Sequence, residues 1–317
     1  MIAHKSLFSA PSASTDTGMF AQFCELYRQR QDALNLIKQL IQMIKAVQRH
    51  RGMSMALLGG NTLFREEFDR LQLQLERRLM SLQTFAAHTN PLLSERDQEN
   101  LHSAWVTISR DWQQDSVIDN YELHCHLIEQ LLGMLATLAK QLEQPVSALV
   151  NNHADVPLVN VDGTNYPNRF RHLEVLHFST RLMPSVVEQI GRIRALATYA
   201  AAIGHCDSHH DGKLRYVIQC TRVNNEKLRH QAKRLEGILE GDIGLLGQLK
   251  SYEIKLMFLL TMVETDVLHG GKITTDSNRL FSVATDIIDV YLHVIEDGIQ
   301  LITRWHEEDI ETWLQSA

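Results

Sequence analysis

Two segments of this chain each set a pair of arginines two residues apart: Arg49 and Arg51, then Arg192 and Arg194. A guanidinium keeps its proton and presents a planar fork of donors. It matches a carboxylate or a small planar oxyanion through paired, charge-assisted hydrogen bonds. Spacing decides which arginine of each pair faces inward. Stepping by threes and fours, the seam Phe23, Tyr27, Arg30, Leu34, Ile37, Ile41, Ile44, Gln48, Arg51, Met55, Leu58 puts Arg51 on an apolar helix face. Arg49 falls with Lys38, Gln42 and Lys45 on the solvated side. The seam Leu173, Leu176, Thr180, Met183, Val187, Ile190, Arg194, Ala197, Ala201 does the same for Arg194, leaving Arg192 outside it. A buried, unpaired guanidinium is costly, so each inward arginine needs a counter-charge. Two sources compete: an internal carboxylate such as Asp119, Glu122 or Glu129, or a bound oxyanion. Small neighbours (Gly52, Ser54 and Ala56; Gly191, Ala195 and Ala197) fit either close helix packing or a cavity.

The elements that must position these residues are all helical. Apolar residues recur at helical spacing, no period-two strand stands out, and the prolines Pro91, Pro145, Pro157 and Pro167 punctuate the pattern. The expected fold class is all-α, with two up-down four-helix bundles related by an internal repeat. Residues 1–18 read as a disordered tail, 19–143 as the first unit, 144–168 as a linker loop and 169–317 as the second unit. The first copy's helices are expected near Phe20–Leu58, Thr62–His88, Ser94–Gln114 and Ser116–Leu142. Those of the second copy fall near Phe170–Ile203 (kinked at Pro184), from Asp211-Gly212 to Gly237, Ile243–Leu268, and from Ser277 past Trp305. Val47–Met53 aligns with Ile190–Leu196 at an offset of 143 positions, and Tyr121-Glu122-Leu123 with Phe281-Ser282-Val283 at 160. The growth in offset implies an insertion in the second copy.

Composition narrows the function classes. The 317 residues carry a formal charge of −7, which argues against a nucleic-acid footprint. Four cysteines without CxxC spacing read as reduced thiols, and the expected location is cytoplasmic. The N-terminus lacks a signal-peptide core, and the apolar runs fall short of the ~20 residues a membrane span needs. No nucleophile motif or phosphate-binding glycine loop appears, so no enzymatic activity and no cofactor are expected. The cluster from His205 to His210 reads as a solvated turn. Glu99…His102 and Glu174…His177 fall in different halves, so no metal site is expected. Trp305 and Trp313, with Ile302 and Ile310, form a stripe suited to packing or to a partner or homodimer contact.

The stretch Val47-Gln48-Arg49-His50-Arg51-Gly52-Met53-Ser54 resembles the Q-x-x-R-G-x-S motif on the first helix of NIT domains, bacterial nitrate- and nitrite-sensing domains. The likeness extends through the second helix to the Asn120…His124…Leu127-Ile128 segment, and the two-unit plan to nearly the whole chain. The resemblance implies nitrate or nitrite held between helices by an arginine cluster, with helix movement controlling an output. On that basis Arg51 matches the motif best, Arg49 is its neighbour, and Arg194 and Arg192 match through the repeat. His50 replaces the first of a directly adjacent arginine pair. On the seventh helix only Lys250 and Lys255 offer a basic partner. No output module fits after the last helix, so signalling is expected to pass to a separate, unknown protein partner. The competing expectation is a helical scaffold or adaptor without a small ligand.

Overall fold

The computed structural model describes residues 13–88, 92–143, 165–239 and 243–316. The expected tail lies outside these residues up to position 12, the turn at Pro91 lies wholly outside, and so does the linker from 144 to 164. The described chain is all-helical. In order it forms α1 (Ala13–Leu58), α2 (Arg65–His88), α3 (Glu95–Ser109), α4 (Val117–Gln141), α5 (Asn165–His177), α6 (Met183–Ile203), α7 (Ser208–Ile238), α8 (Ile243–Met262) and α9 (Ser277–Ser316).

Local chemistry accounts for most of these boundaries. Ser94 and Ser116 cap α3 and α4 by accepting from the backbone N–H three residues on. Gly204 ends α6 with φ of 80°, a conformation that suits glycine. α1 and α5 begin earlier than expected, at Ala13 rather than Phe20 and at Asn165 rather than Phe170. Residues 13–18 of the expected tail are thus helical. Three further boundaries shift. α3 stops at Ser109 because the chain reverses through Asp111 at φ of 49° before a short 3-10 turn. Asn61, not Thr62, caps the 3-10 turn that leads into α2. α7 begins three residues before Asp211, because Asp207 accepts from the backbone N–H of both His209 and His210. The expected kink at Pro184 is a π turn, Phe178–Leu182, joining α5 to α6. Proline offers no N–H to the preceding turn, and the wider turn absorbs that loss.

Four helices, α1, α4, α6 and α9, surround the inward arginines. α1 and α6 lie side by side and run in the same direction. A side chain built on Gly59 would meet Ala202, and one built on Gly191 would meet Gln48, so the contacting positions differ by 143 along both helices. α4 runs against α1, with His50 on His124 and Ser54 on Asn120. α9 runs against both α6 and α1, with Arg194 on Thr285 and Asn61 on Ser277. α2 and α3 flank the α1–α4 side, while α7 and α8 flank the α6–α9 side. A single apolar core threads through helices from both sides of the expected boundary. The central layer is therefore shared between the halves, whereas the sequence suggested separate bundles.

Candidate functional site

Both inward arginines are buried as their spacing requires, at 0% exposure for Arg51 and 2% for Arg194. Their surroundings match part for part. The Arg51 guanidinium lies 5.6 Å from the Tyr121 ring centre, and its Nη1 reaches Cys125 Sγ at 3.1 Å. Arg194 lies 4.8 Å from the Phe281 ring centre, and its Nη1 donates to Thr285 Oγ1 at 2.8 Å. Each rests near a glycine of the opposite central helix, since a Cβ on Gly191 would sit 3.1 Å from Arg51 Nη2 and one on Gly52 3.3 Å from Arg194 Nε. A ring face beside each cation contributes modestly, about 0.5–2 kcal/mol.

The counter-charges do not match. Glu188, 4% exposed, takes Arg51 in a two-pronged bond, Nη1 to Oε1 at 2.7 Å and Nη2 to Oε2 at 3.1 Å. Arg192 Nε adds 2.8 Å to Oε1 and Gln48 Nε2 adds 2.8 Å to Oε2, so four donors saturate the carboxylate. None of Asp119, Glu122 or Glu129, the carboxylates suggested by position, neutralises Arg51; the partner comes from α6. Burial opposes ionisation of Arg51 and Glu188 alike. Their mutual attraction more than reverses it, holding Arg51 above and Glu188 below its ordinary range.

Arg194 has no such partner. Its Nε and Nη2 are buried without a hydrogen bond, and so is the hydroxyl of Thr198 one turn along α6. Burial, followed by repulsion from Arg51 and Arg49, pushes its pKa down to about 9. Nε–H and Nη2–H form the side edge of the guanidinium, two nearly parallel donors spaced for the two oxygens of a planar oxyanion. The remaining candidates are occupied: Arg49 pairs with Glu67, and Arg192 with Glu129 at 2.7 Å as well as with Glu188. Lys250 pairs with Glu236, and Lys255 lies over the Tyr252 ring. Gln48, Arg51 and Arg194 thus share one buried neighbourhood, with Arg192 and Arg49 half-buried at its margin.

The Val47–Ser54 and Asn120–Ile128 segments pack on each other. Ser54 donates to Asn120 Oδ1 at 2.7 Å, and His50 Nδ1 lies 2.8 Å from His124 Nε2. His124 Nδ1 is 2.6 Å from the Asn120 carbonyl, which only accepts. His124 therefore carries its proton on Nδ1 and accepts from His50. Burial holds both rings neutral, taking His124 down to about 3, with the neighbouring ring lowering His50 further. In the unfolded chain both titrate near 6.5. The unfolded state thus binds more protons between about pH 6.5 and 3, so this stabilisation is whole above pH 6.5 and lost as pH falls. For His124 the expected loss is on the order of 1 kcal/mol per pH unit, and His50 adds to it in the same direction. Urea midpoints should drop between pH 7 and pH 5, and His124→Gln should flatten that drop; a pH-independent midpoint would contradict buried neutral rings.

Among the described residues no three His, Cys, Asp or Glu side chains gather as a metal site. His210 instead donates to Asp207, the cap of α7. Glu174 of the Glu174…His177 pair is held by Arg234 and Gln231. No described helix is long and apolar enough to cross a membrane. Trp305 is half-buried near His172, and the side chains of Ile310 and Trp313 lie outside the described residues. Glu188 and Thr285 were missed from sequence. A lone acidic residue four positions before Arg192 in an apolar turn was the one available signal for Glu188. Compared with protein-family models, curated proteins and solved structures, the chain matches none.

Proposed function

We propose that this chain is a non-enzymatic regulatory protein that responds to a small monovalent oxyanion, with nitrate or nitrite as first choice, gripped by Arg194. The observation that carries this reading is the open donor edge of Arg194, buried without a carboxylate. The resemblance of the Val47–Ser54 and Asn120–Ile128 segments to NIT domains supports the choice of anion. The matched surroundings of Arg51 and Arg194, and the constant offset along α1 and α6, support descent of the two halves from a duplicated unit. Packed helices enclose Arg194, so an anion enters when α1 moves away from α6 and α9. Binding then favours that second packing, and a separate protein reads the shift.

Melting temperatures in nitrate, nitrite, chloride and sulfate at equal ionic strength test this. Nitrate or nitrite at a hundredfold excess over its dissociation constant should stabilise the fold by about 2.7 kcal/mol, and Arg194→Met should abolish the response. If no oxyanion moves the melting curve, sensing fails. A second reading then leads, a helical interaction protein, favoured by the apolar exposed face of Ile254, Met257 and Phe258 on α8.

A further inference from the structure

We propose that the Glu188 carboxylate is a built-in anion: it takes, within the chain, Nη1 and Nη2 of Arg51. At Arg194, by contrast, Thr285 holds Nη1 and Nη2 is left without an acceptor, the Nε of both arginines being unbonded. The chain then carries two related anion half-sites and keeps one of them closed. This rests on the anion reading of Arg194 for its biological sense, though its chemistry can be tested separately.

The correspondence is specific. Arg51, Tyr121 and Cys125 match Arg194, Phe281 and Thr285 at offsets of 143, 160 and 160. In each set the guanidinium faces the ring and Nη1 meets the sulfur or hydroxyl. What differs is the plug. Counting back 143 positions from Glu188 leads to Lys45, whose Nζ is engaged by Asp289 at 3.0 Å. Counting forward 143 from Gln48, which steadies Glu188, leads to Gly191, which has no side chain. The Arg194 side therefore lacks both the carboxylate and the amide that fill the Arg51 side. A carboxylate is a planar, monovalent group that presents a pair of acceptor oxygens on one edge, as formate, nitrite and each edge of nitrate also do. The closed half-site thus names its ligand class: small planar monovalent oxyanions rather than tetrahedral divalent ones.

Shortening the plug should open the half-site. Isothermal titration of nitrate and of formate is expected to give one site per chain in wild type and two in Glu188→Ala. Glu188→Gln, whose amide still fills the space, should give one. Arg194→Met removes the other half-site, so Arg194→Met alone should bind none and Arg194→Met/Glu188→Ala should bind one. If wild type binds nothing but the double variant binds one formate, the anion reading of Arg194 fails and the plug stands. If wild type binds one anion and the double variant none, the plug is overturned. Should Glu188→Ala unfold in dilute buffer, circular dichroism follows its recovery: refolding in formate or nitrate but not in sulfate of equal ionic strength supports the plug. Failure to refold in any of them overturns it.

Discussion

Glu188→Leu is expected to lower the unfolding free energy by about 3–5 kcal/mol, because it strands the Arg51 charge in the core. Glu188 accepts from Arg51 twice, from Arg192 and from Gln48, all through two buried oxygens. Arg192 keeps Glu129 and is partly exposed, so the penalty falls chiefly on Arg51. The companion variant separates pairing from packing. Arg51→Met with Glu188→Leu removes both charges and refills similar volume, and should recover most of the loss. Denaturant unfolding of the wild type, both single variants and the double variant yields the coupling energy directly. A double variant no more stable than Glu188→Leu would show that packing around Glu188, and not the ion pair, sets the cost.

Arg194→Met should do the opposite and raise stability in anion-free buffer, by about 1–4 kcal/mol. The folded-state pKa of Arg194, about 9, lies well below the ordinary value of a guanidinium. At neutral pH both folded and unfolded states are protonated, and the folded state bears the whole cost of burying the charge. Relief by titration comes only as pH rises through the interval between those two values. Methionine keeps much of the side-chain volume without the charge. Thr285 is not orphaned by the change, because its hydroxyl already donates to the Phe281 carbonyl at 2.7 Å. The same substitution should remove the nitrate response, so stability and ligand response would move in opposite directions. Such opposition is expected where a binding residue is held in an unfavourable setting. A loss of stability in anion-free buffer would mean that Arg194 is already compensated.

Helical periodicity was enough to read the inward positions of Arg51 and Arg194, because a side chain's face on a helix follows from local spacing. It also placed Arg49 at the solvated margin. Proline and capping residues located most helix ends, whereas the break after Ser109 rested on the left-handed backbone at Asp111. Gly52 turned out to lie against Arg194 of α6 and Phe281 of α9, and Gly191 against Arg51 and Gln48 of α1.

The sequence by itself therefore determined that Arg51 and Arg194 would be buried in an all-helical protein. Only the tertiary structure decided which is neutralised, since that depends on the alignment of α1 with α6. Their parallel packing brings Glu188 to Arg51, 137 positions away. The corresponding position beside Arg194 belongs to Lys45, which turns to Asp289. Charge pairing between helices follows from their register, and several contacts between the C-terminal part of α1 and α6 set that register. Arg194 is left with an open pair of donors for that reason.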